Sequence, residues 1–171
     1  MDDRLEQLLG VVALAATDRF RSASEVELGA GGGAPAALVH LHAWPGGSVS
    51  ELGEVLGLSQ PAAVRLAERL VARGLVRREA GRDGRTRALS CTPEGERVAD
   101  AILAQRGESL RSLLAILKPE ERRQLERLLG RVTAGLADDR PGALLTCRLC
   151  DRGACQAGAR SCPLNHTVPS R

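Results

Sequence analysis

The feature that most constrains this chain is a pair of helix signals set end to end in SVSELGEVLGLSQPAAVRLAERLVARG, residues 48–74. Ser48 and Glu51 have capping-box spacing, Leu52, Val55 and Leu56 supply one apolar face, and Gly57 fits a C-terminal stop. Ser59 reads as the cap of a second helix, with Pro61 tolerated in its first turn and Gly74 closing it. Ala63, Leu66, Ala67 and Leu70 can pack inward, which turns Gln60, Ala62, Arg65 and Arg69 outward. A short helix and a longer basic one, joined by a turn of a few residues, make a helix-turn-helix.

Beyond the second helix, residues 77–90 read RREAGRDGRTRALS. Leu75 to Glu79 and Thr86 to Cys91 form candidate strands around a turn punctuated by Gly81 and Gly84. A helix-turn-helix continued by a two-stranded hairpin is the plan of a winged helix, in which the second helix enters the major groove and the hairpin reaches along the backbone. Guanidinium groups at its tip would pair with phosphates, release counterions and suit a narrow minor groove. Arg82, Arg85 and Arg87 are assigned to the tip, and Arg77 and Arg78 to the strand, one of them facing solvent. Asp83 would be repelled by phosphate, so its expected task is to orient Arg85, or Arg69 from the helix. Gln60 could pair with an adenine edge, and Arg65 with a guanine edge or a phosphate. The expected DNA-contacting set is Ser59, Gln60, Pro61, Ala62, Arg65, Arg69, Arg82, Asp83, Arg85 and Arg87. The competing interpretation is a solvated charged hairpin on some other small α/β domain.

Composition supports a duplex partner by exclusion. Apolar residues make up 43% of the 171 residues, yet Phe20 and Trp44 are the only aromatics. The core must be aliphatic, and the rows of aromatics used for stacking on single strands or RNA are missing. A net charge of +3 is too small to argue for nucleic acid by itself, so the placement of charge matters. The apolar run Leu8 to Ala16 is too short for a bilayer and has the wrong flank for a secretory signal, so a cytoplasmic protein without a membrane partner is expected.

Elsewhere the pattern is helical. Leu5, Leu8, Leu9, Val12, Ala16 and Phe20 recur at helical steps from Arg4 to about Glu27. GAGGGAP (29–35) comes after a helix and lacks Gly-Lys-Ser/Thr, so it reads as a linker and not a phosphate loop. A helix is predicted from Pro35 to near Trp44. Thr92 and Pro93 open a long helix with Val98, Ile102, Leu110, Leu113 and Leu117 on its stripe. Lys118-Pro119 breaks it, and a last helix carries Leu125, Leu128, Leu129, Val132 and Leu136. The resulting division is 1–34 for an N-terminal dimerisation helix and linker, 35–92 for the winged helix-turn-helix, 93–140 for C-terminal dimerisation helices, and 141–171 for a cysteine-rich tail. The fold class is mainly α with a small β-hairpin wing.

SELGEVLGLS, RLVARGLVRR, the wing's Asp83-x-Arg85 and LSCT together resemble the multiple-antibiotic-resistance regulator (MarR) family of bacterial transcription factors. The resemblance covers roughly residues 4 to 137. It implies an obligate homodimer that binds a pseudo-palindromic operator in double-stranded DNA and releases it on meeting a small-molecule ligand or oxidant. It also implies that Asp83 and Arg85 are the wing pair. Cys91 in place of a usual leucine, the glycine-rich first linker and the cysteine-rich tail depart from that pattern. Independently, the first and the last two helices carry more apolar stripe than one small winged-helix core can cover, which calls for a partner.

The tail, CRLCDRGACQAGARSCPLNH, holds Cys147, Cys150, Cys155, Cys162 and His166. A C-x2-C pair can put two thiolates on one metal, with two later thiolates, or one thiolate and His166, completing a tetrahedron. Zinc suits this donor set best. An iron–sulfur cluster, redox-active thiols favoured by Arg148, Arg152 and Arg160, and cysteines with no ligand role stay open. Cys91 reads as core. His40 and His42 read as ordinary partly buried histidines. The expected function is a non-enzymatic, DNA-binding transcriptional repressor acting as a homodimer, with zinc as its one candidate cofactor. A metal- or redox-responsive sensor using the tail is the alternative. A thiol oxidoreductase built on Cys147 and Cys150 is more distant, because the strand–helix alternation around a redox C-x2-C is missing.

Overall fold

The computed structural model describes residues 3–28, 33–80, 87–159 and 161–167. Its centre is α2 (Ala34–Ala43), whose sequence APAALVHLHA is apolar on nearly every side and is buried from Ala34 through Val39 and again at Leu41. A helix without a polar face must be enclosed, and the remaining elements enclose it. α3 (Val49–Leu56) and α4 (Gln60–Ala72) pack on one side, and α5 (Pro93–Leu114) on another. Leu38, Leu41, Leu52, Leu66, Leu70, Leu89 and Ile102 form the fully buried centre of one core.

The capping box predicted for α3 is present. Ser48 Oγ accepts from the Glu51 amide at 3.1 Å, and Glu51 Oε2 accepts from the Ser48 amide at 2.6 Å. Gly57 ends the helix in the left-handed region, with φ at 63°. Ser59 occupies the N-cap of α4 but its side chain makes no capping hydrogen bond, contrary to expectation. Its carbonyl instead receives the Ala62 and Ala63 amides, each at 2.9 Å.

The sheet has three strands where the sequence predicts two. β1 (Gly47–Ser48), β2 (Val76–Ala80) and β3 (Arg87–Cys91) lie in the order β1-β3-β2, all antiparallel. β1 comes after a Pro-Gly-Gly turn with no strand propensity of its own. It exists because the edge of β3 offers Leu89 and Ala88 as partners for Gly47 and Ser48.

α1 (Asp3–Leu28) runs along α5, and among its described side chains Phe20 packs on the core. α5 starts at Thr92, whose Oγ1 accepts the Gly95 amide at 3.1 Å. α6 (Pro119–Ala134) ends two residues before Leu136 and buries none of its own residues. The tail is more helical than expected. α7 (Arg140–Thr146) is capped by Asp139, α8 (Arg152–Cys155) is capped by Asp151, and 3-10 turns lie at Ala157–Ala159 and Asn165–Thr167. α7 packs on α3, so the tail is docked on the helix-turn-helix. Among the described residues no helix is long and apolar enough to cross a membrane.

Candidate nucleic-acid interface

The inward and outward faces of α4 are those its periodicity predicts. Ala63, Leu66, Ala67 and Leu70 are buried, while Ser59, Gln60, Pro61, Arg65 and Arg69 are exposed and Ala62 is half-buried. Arg65 and Arg69 lie one helical turn apart on the open face. At the other end, the first turn carries the positive pole of the helix beside Gln60. α4 therefore offers a polar tip and a basic flank in line, a shape suited to base edges at the tip and phosphates along the side.

Residues 81–86 lie outside the described residues, and with them Arg82, Asp83 and Arg85 and the expected Asp83–arginine pairing. Arg87 is exposed at the first position of β3, opposite Ala80 in the last strand pair before the turn, which puts it at the loop end of the wing. Arg77 and Arg78 are both exposed, where one was expected to be. Arg77 is held in place: its Nε meets Glu79 Oε1 at 2.5 Å and its Nη1 donates to the Cys91 carbonyl at 2.6 Å. Glu79 also accepts from Ser90 Oγ at 3.2 Å. The hydrogen bond from Arg77 holds the Glu79 carboxyl below the usual range, and the same bond raises the Arg77 guanidinium. This network braces the stem of the wing, and Arg77 is a positioning group there.

A cavity of about 770 Å³ opens between α1, α2, α5 and α7, lined by Phe20, Leu56 and Leu110 and by Arg21, Arg106 and Arg148. None of these arginines was singled out in the sequence for such a site. Arg106 carried a signal: it stands four residues from both Ile102 and Leu110, on the apolar stripe of α5. On α2, His40 stacks against Trp44 with ring centroids 5.0 Å apart, and His42 Nε2 meets Asp100 Oδ1 at 3.3 Å. Burial lowers the His40 pKa, opposed by Glu51 and assisted by Arg152. Cys91 is buried as expected, with its thiol pushed up to about 11, first by burial.

The four tail cysteines are half-buried and unbridged, and they line one cavity. Cys147 is a hydrogen-bonding neighbour of Cys162 and Cys150 of Cys155, with Cys147 also near Cys150 and Cys155. Burial first, and then the neighbouring thiols, push Cys147 up and Cys150 up to about 12. At Cys147 the opposing pull of Arg152 is among the smaller of these influences, and at Cys150 that of Arg106 is the smallest. Arg152 instead stacks its guanidinium over the Trp44 ring, 3.9 Å from the centroid. His166, the possible further ligand, has Nδ1 3.2 Å from the Pro163 carbonyl and Nε2 3.1 Å from that of Ala137. Among the described residues no three His, Cys, Asp or Glu side chains are grouped as a preformed metal site.

The sequence model of the MarR family matches residues 33–86, from the start of α2 into the wing. Solved structures agree over a longer span. A MarR family protein from Bacillus stearothermophilus is 25% identical, with 77% of this chain and 95% of that one covered at a TM-score of 0.67. A probable transcriptional regulator from Pseudomonas aeruginosa is 29% identical, with 75% and 98% covered at 0.55. MepR, a transcription regulator of the Staphylococcus aureus multidrug efflux pump MepA, is 18% identical, with 77% and 98% covered at 0.67. No curated protein matches the chain significantly. The helix-turn-helix, the three-stranded wing and these likenesses agree: residues 33–86 match the MarR family of DNA-binding transcriptional regulators, and the chain is similar in fold to members of that family over about three quarters of its length.

Proposed function

We propose that the protein is an operator-binding repressor that works as a homodimer and releases DNA when a small apolar anion fills the cavity beside α1. The observation that carries this reading is the uncovered apolar surface of the outer helices. Leu5, Leu8, Leu9 and Val12 of α1 are each more than half exposed, and Leu128, Val132 and Leu136 on and just after α6 are exposed to 50%, 55% and 58%. Apolar surface on this scale is unfavourable in water and is relieved by a second copy presenting the same helices. Two-fold pairing would then set two α4 helices at adjacent major-groove faces. The wing, through Arg82, Arg85 and Arg87, would grip the flanking backbone, with Asp83 orienting an arginine.

The cavity supports an effector of stated chemistry. Arginines beside Phe20, Leu56 and Leu110 favour a carboxylate on a small apolar body. The cavity touches the end of α3 as well as α5, so a ligand there would bear on the spacing between the DNA-reading and dimerising parts.

Selection of bound duplexes from a random pool tests the proposal. It should return a two-fold symmetric site with half-site centres roughly 34–36 Å apart. Arg85→Ala should weaken binding to all duplexes and reduce the salt slope by about one phosphate contact. Gln60→Ala or Arg65→Ala should instead change preference among sites, by about 1–3 kcal/mol for each bidentate pairing removed. Asymmetric sites bound by a monomer would overturn the dimeric reading, and an unchanged salt slope would remove Arg85 from the wing's grip on the backbone.

A further inference from the structure

We propose that Cys147, Cys150, Cys155 and Cys162 bind one zinc-class cation, and that this clasp holds the tail against the helix-turn-helix. The site is independent of the operator reading, because it involves none of the residues assigned to DNA.

The tail needs a clasp. Residues 137–159 and 161–167 form several short helical pieces around a second cluster containing only Ala137, Ala143 and Leu164 as buried residues. Apart from α7, which packs on α3, and Leu149, which packs on the main core, that cluster is the apolar burial the described tail has, and chain segments so thinly packed are generally secured by metal or disulfides. Two of the four cysteines, Cys147 and Cys162, are packed against that same cluster. The thiols therefore sit where the missing cohesion is required.

The local backbone favours a metal. The Cys150 amide donates to the Cys147 carbonyl at 2.8 Å, closing the C-x2-C segment into a turn that brings both residues to one side. All four cysteines line one cavity, with Cys162 beside Cys147 and Cys155 beside Cys150. Drawing the two pairs onto one ion converts them into a tetrahedron of sulfurs, the set zinc prefers in structural sites. Asp151, the carboxylate beside Cys150 in sequence, is engaged in capping α8 through the Ala154 amide. Binding would release up to four thiol protons to solvent and leave a tetrathiolate zinc of charge −2. Arg106 lies near Cys150 and Arg152 near Cys147, so compensating charge is at hand.

The clasp would reach the DNA-reading unit by two routes. Arg152 rests on Trp44 at the end of α2, and α7, which ends at Thr146, packs on α3. Trp44 is the sole tryptophan, so its emission reports on the docking of the tail.

The test uses the full chain, purified under reducing, oxygen-free conditions. Elemental analysis should find one zinc per chain, with the four tail thiols unreactive toward a thiol reagent until a chelator removes it. Cobalt(II) added to the stripped protein should produce the charge-transfer and ligand-field bands of a tetrahedral tetrathiolate and saturate at one equivalent. Stripping should shift Trp44 emission to the red, and zinc should restore it. Cys147→Ser and Cys155→Ser should each abolish the cobalt spectrum, while Arg152→Ala should keep that spectrum and lose the metal-dependent change in Trp44 emission. The proposal is overturned by four freely reactive tail thiols in metal-free protein that cobalt leaves colourless. Disulfides joining Cys147 to Cys162 and Cys150 to Cys155 would also overturn it, as would iron with acid-labile sulfide.

Discussion

Gly95→Ala is a small substitution with a large expected cost. Gly95 lies in the first turn of α5, where that helix passes over the end of the connection from α4 to β2. A Cβ at this position would overlap the Leu75 carbonyl oxygen, stand 2.9 Å from the Leu75 carbonyl carbon and lie 3.3 Å from Cys91 Cβ. Backbone atoms cannot step aside as a flexible side chain can, so either α5 or the strand entrance must move. Three hydrogen bonds depend on the present fit: the Thr92 amide to the Leu75 carbonyl at 3.0 Å, Thr92 Oγ1 to the Gly74 carbonyl at 2.6 Å, and the Gly95 amide to Thr92 Oγ1 at 3.1 Å. Overpacking costs about 1–3 kcal/mol, and each broken hydrogen bond about 0.5–1.5 kcal/mol. Helix propensity returns about 1 kcal/mol when alanine replaces glycine. The net loss is about 3 kcal/mol, or about 6–12 °C in melting temperature for a chain of this size. Urea and thermal unfolding at one fixed protein concentration measure it, since dimerisation makes stability depend on concentration. Gly130→Ala is the matched control. It lies inside α6 with nothing within 4 Å of the added carbon, and should gain up to about 1 kcal/mol. A Gly95→Ala protein more stable than the parent by the roughly 1 kcal/mol that helix propensity alone returns would refute the close approach as the reason for glycine there.

Other perturbations reach different parts of the structure. Ser48→Ala removes half of the α3 capping box and should cost about 1 kcal/mol in urea unfolding; a loss below a few tenths would mean that the box contributes little. His40 has a folded pKa below its unfolded value of 6.5, chiefly through burial. The unfolded chain takes up that proton first, so stability should fall as pH drops through about 6.5 and level off below the folded pKa. His40→Gln should flatten this part of the stability–pH curve, and an equally steep curve would assign the loss to other groups. Leu8→Glu with Leu128→Glu should dissociate the dimer in sedimentation while leaving the helical circular dichroism intact; a dimer that persists would place the interface elsewhere.

The elements legible in the sequence are those whose signals are local. The α3 capping box, the Gly57 stop, Pro61 and the Thr92-Pro93 start act within a few residues, and each appears at its predicted place. The inward face of α4 could be read for the same reason, since helical periodicity decides which residues can be buried together. β1 escaped because Gly47 and Ser48 become a strand only against the edge of β3. α7 was hidden by the change in composition, although Asp139 and Pro141 form an ordinary helix start. Ser59 stands at the cap position without bonding through its side chain, which shows that position and hydrogen bond are separate facts.

Residues 48–74 by themselves determined a helix-turn-helix with a basic outward flank, because caps, stops and apolar period are all encoded within a few residues. The same local logic marked the arginine-loaded hairpin and the C-x2-C turn. Only the tertiary structure decided what meets across distance: Arg77 with the Cys91 carbonyl, Arg106 with the cavity beside Phe20, Arg152 with Trp44, and α7 with α3. Sequence spacing carries no information about such encounters, since they arise from the packing of whole elements around α2. It also decided the character of the tail thiols. At Cys147 and Cys150 neighbouring arginines favour thiolate, but burial and the adjacent thiols are the stronger effects, and burial exists only once the chain has folded.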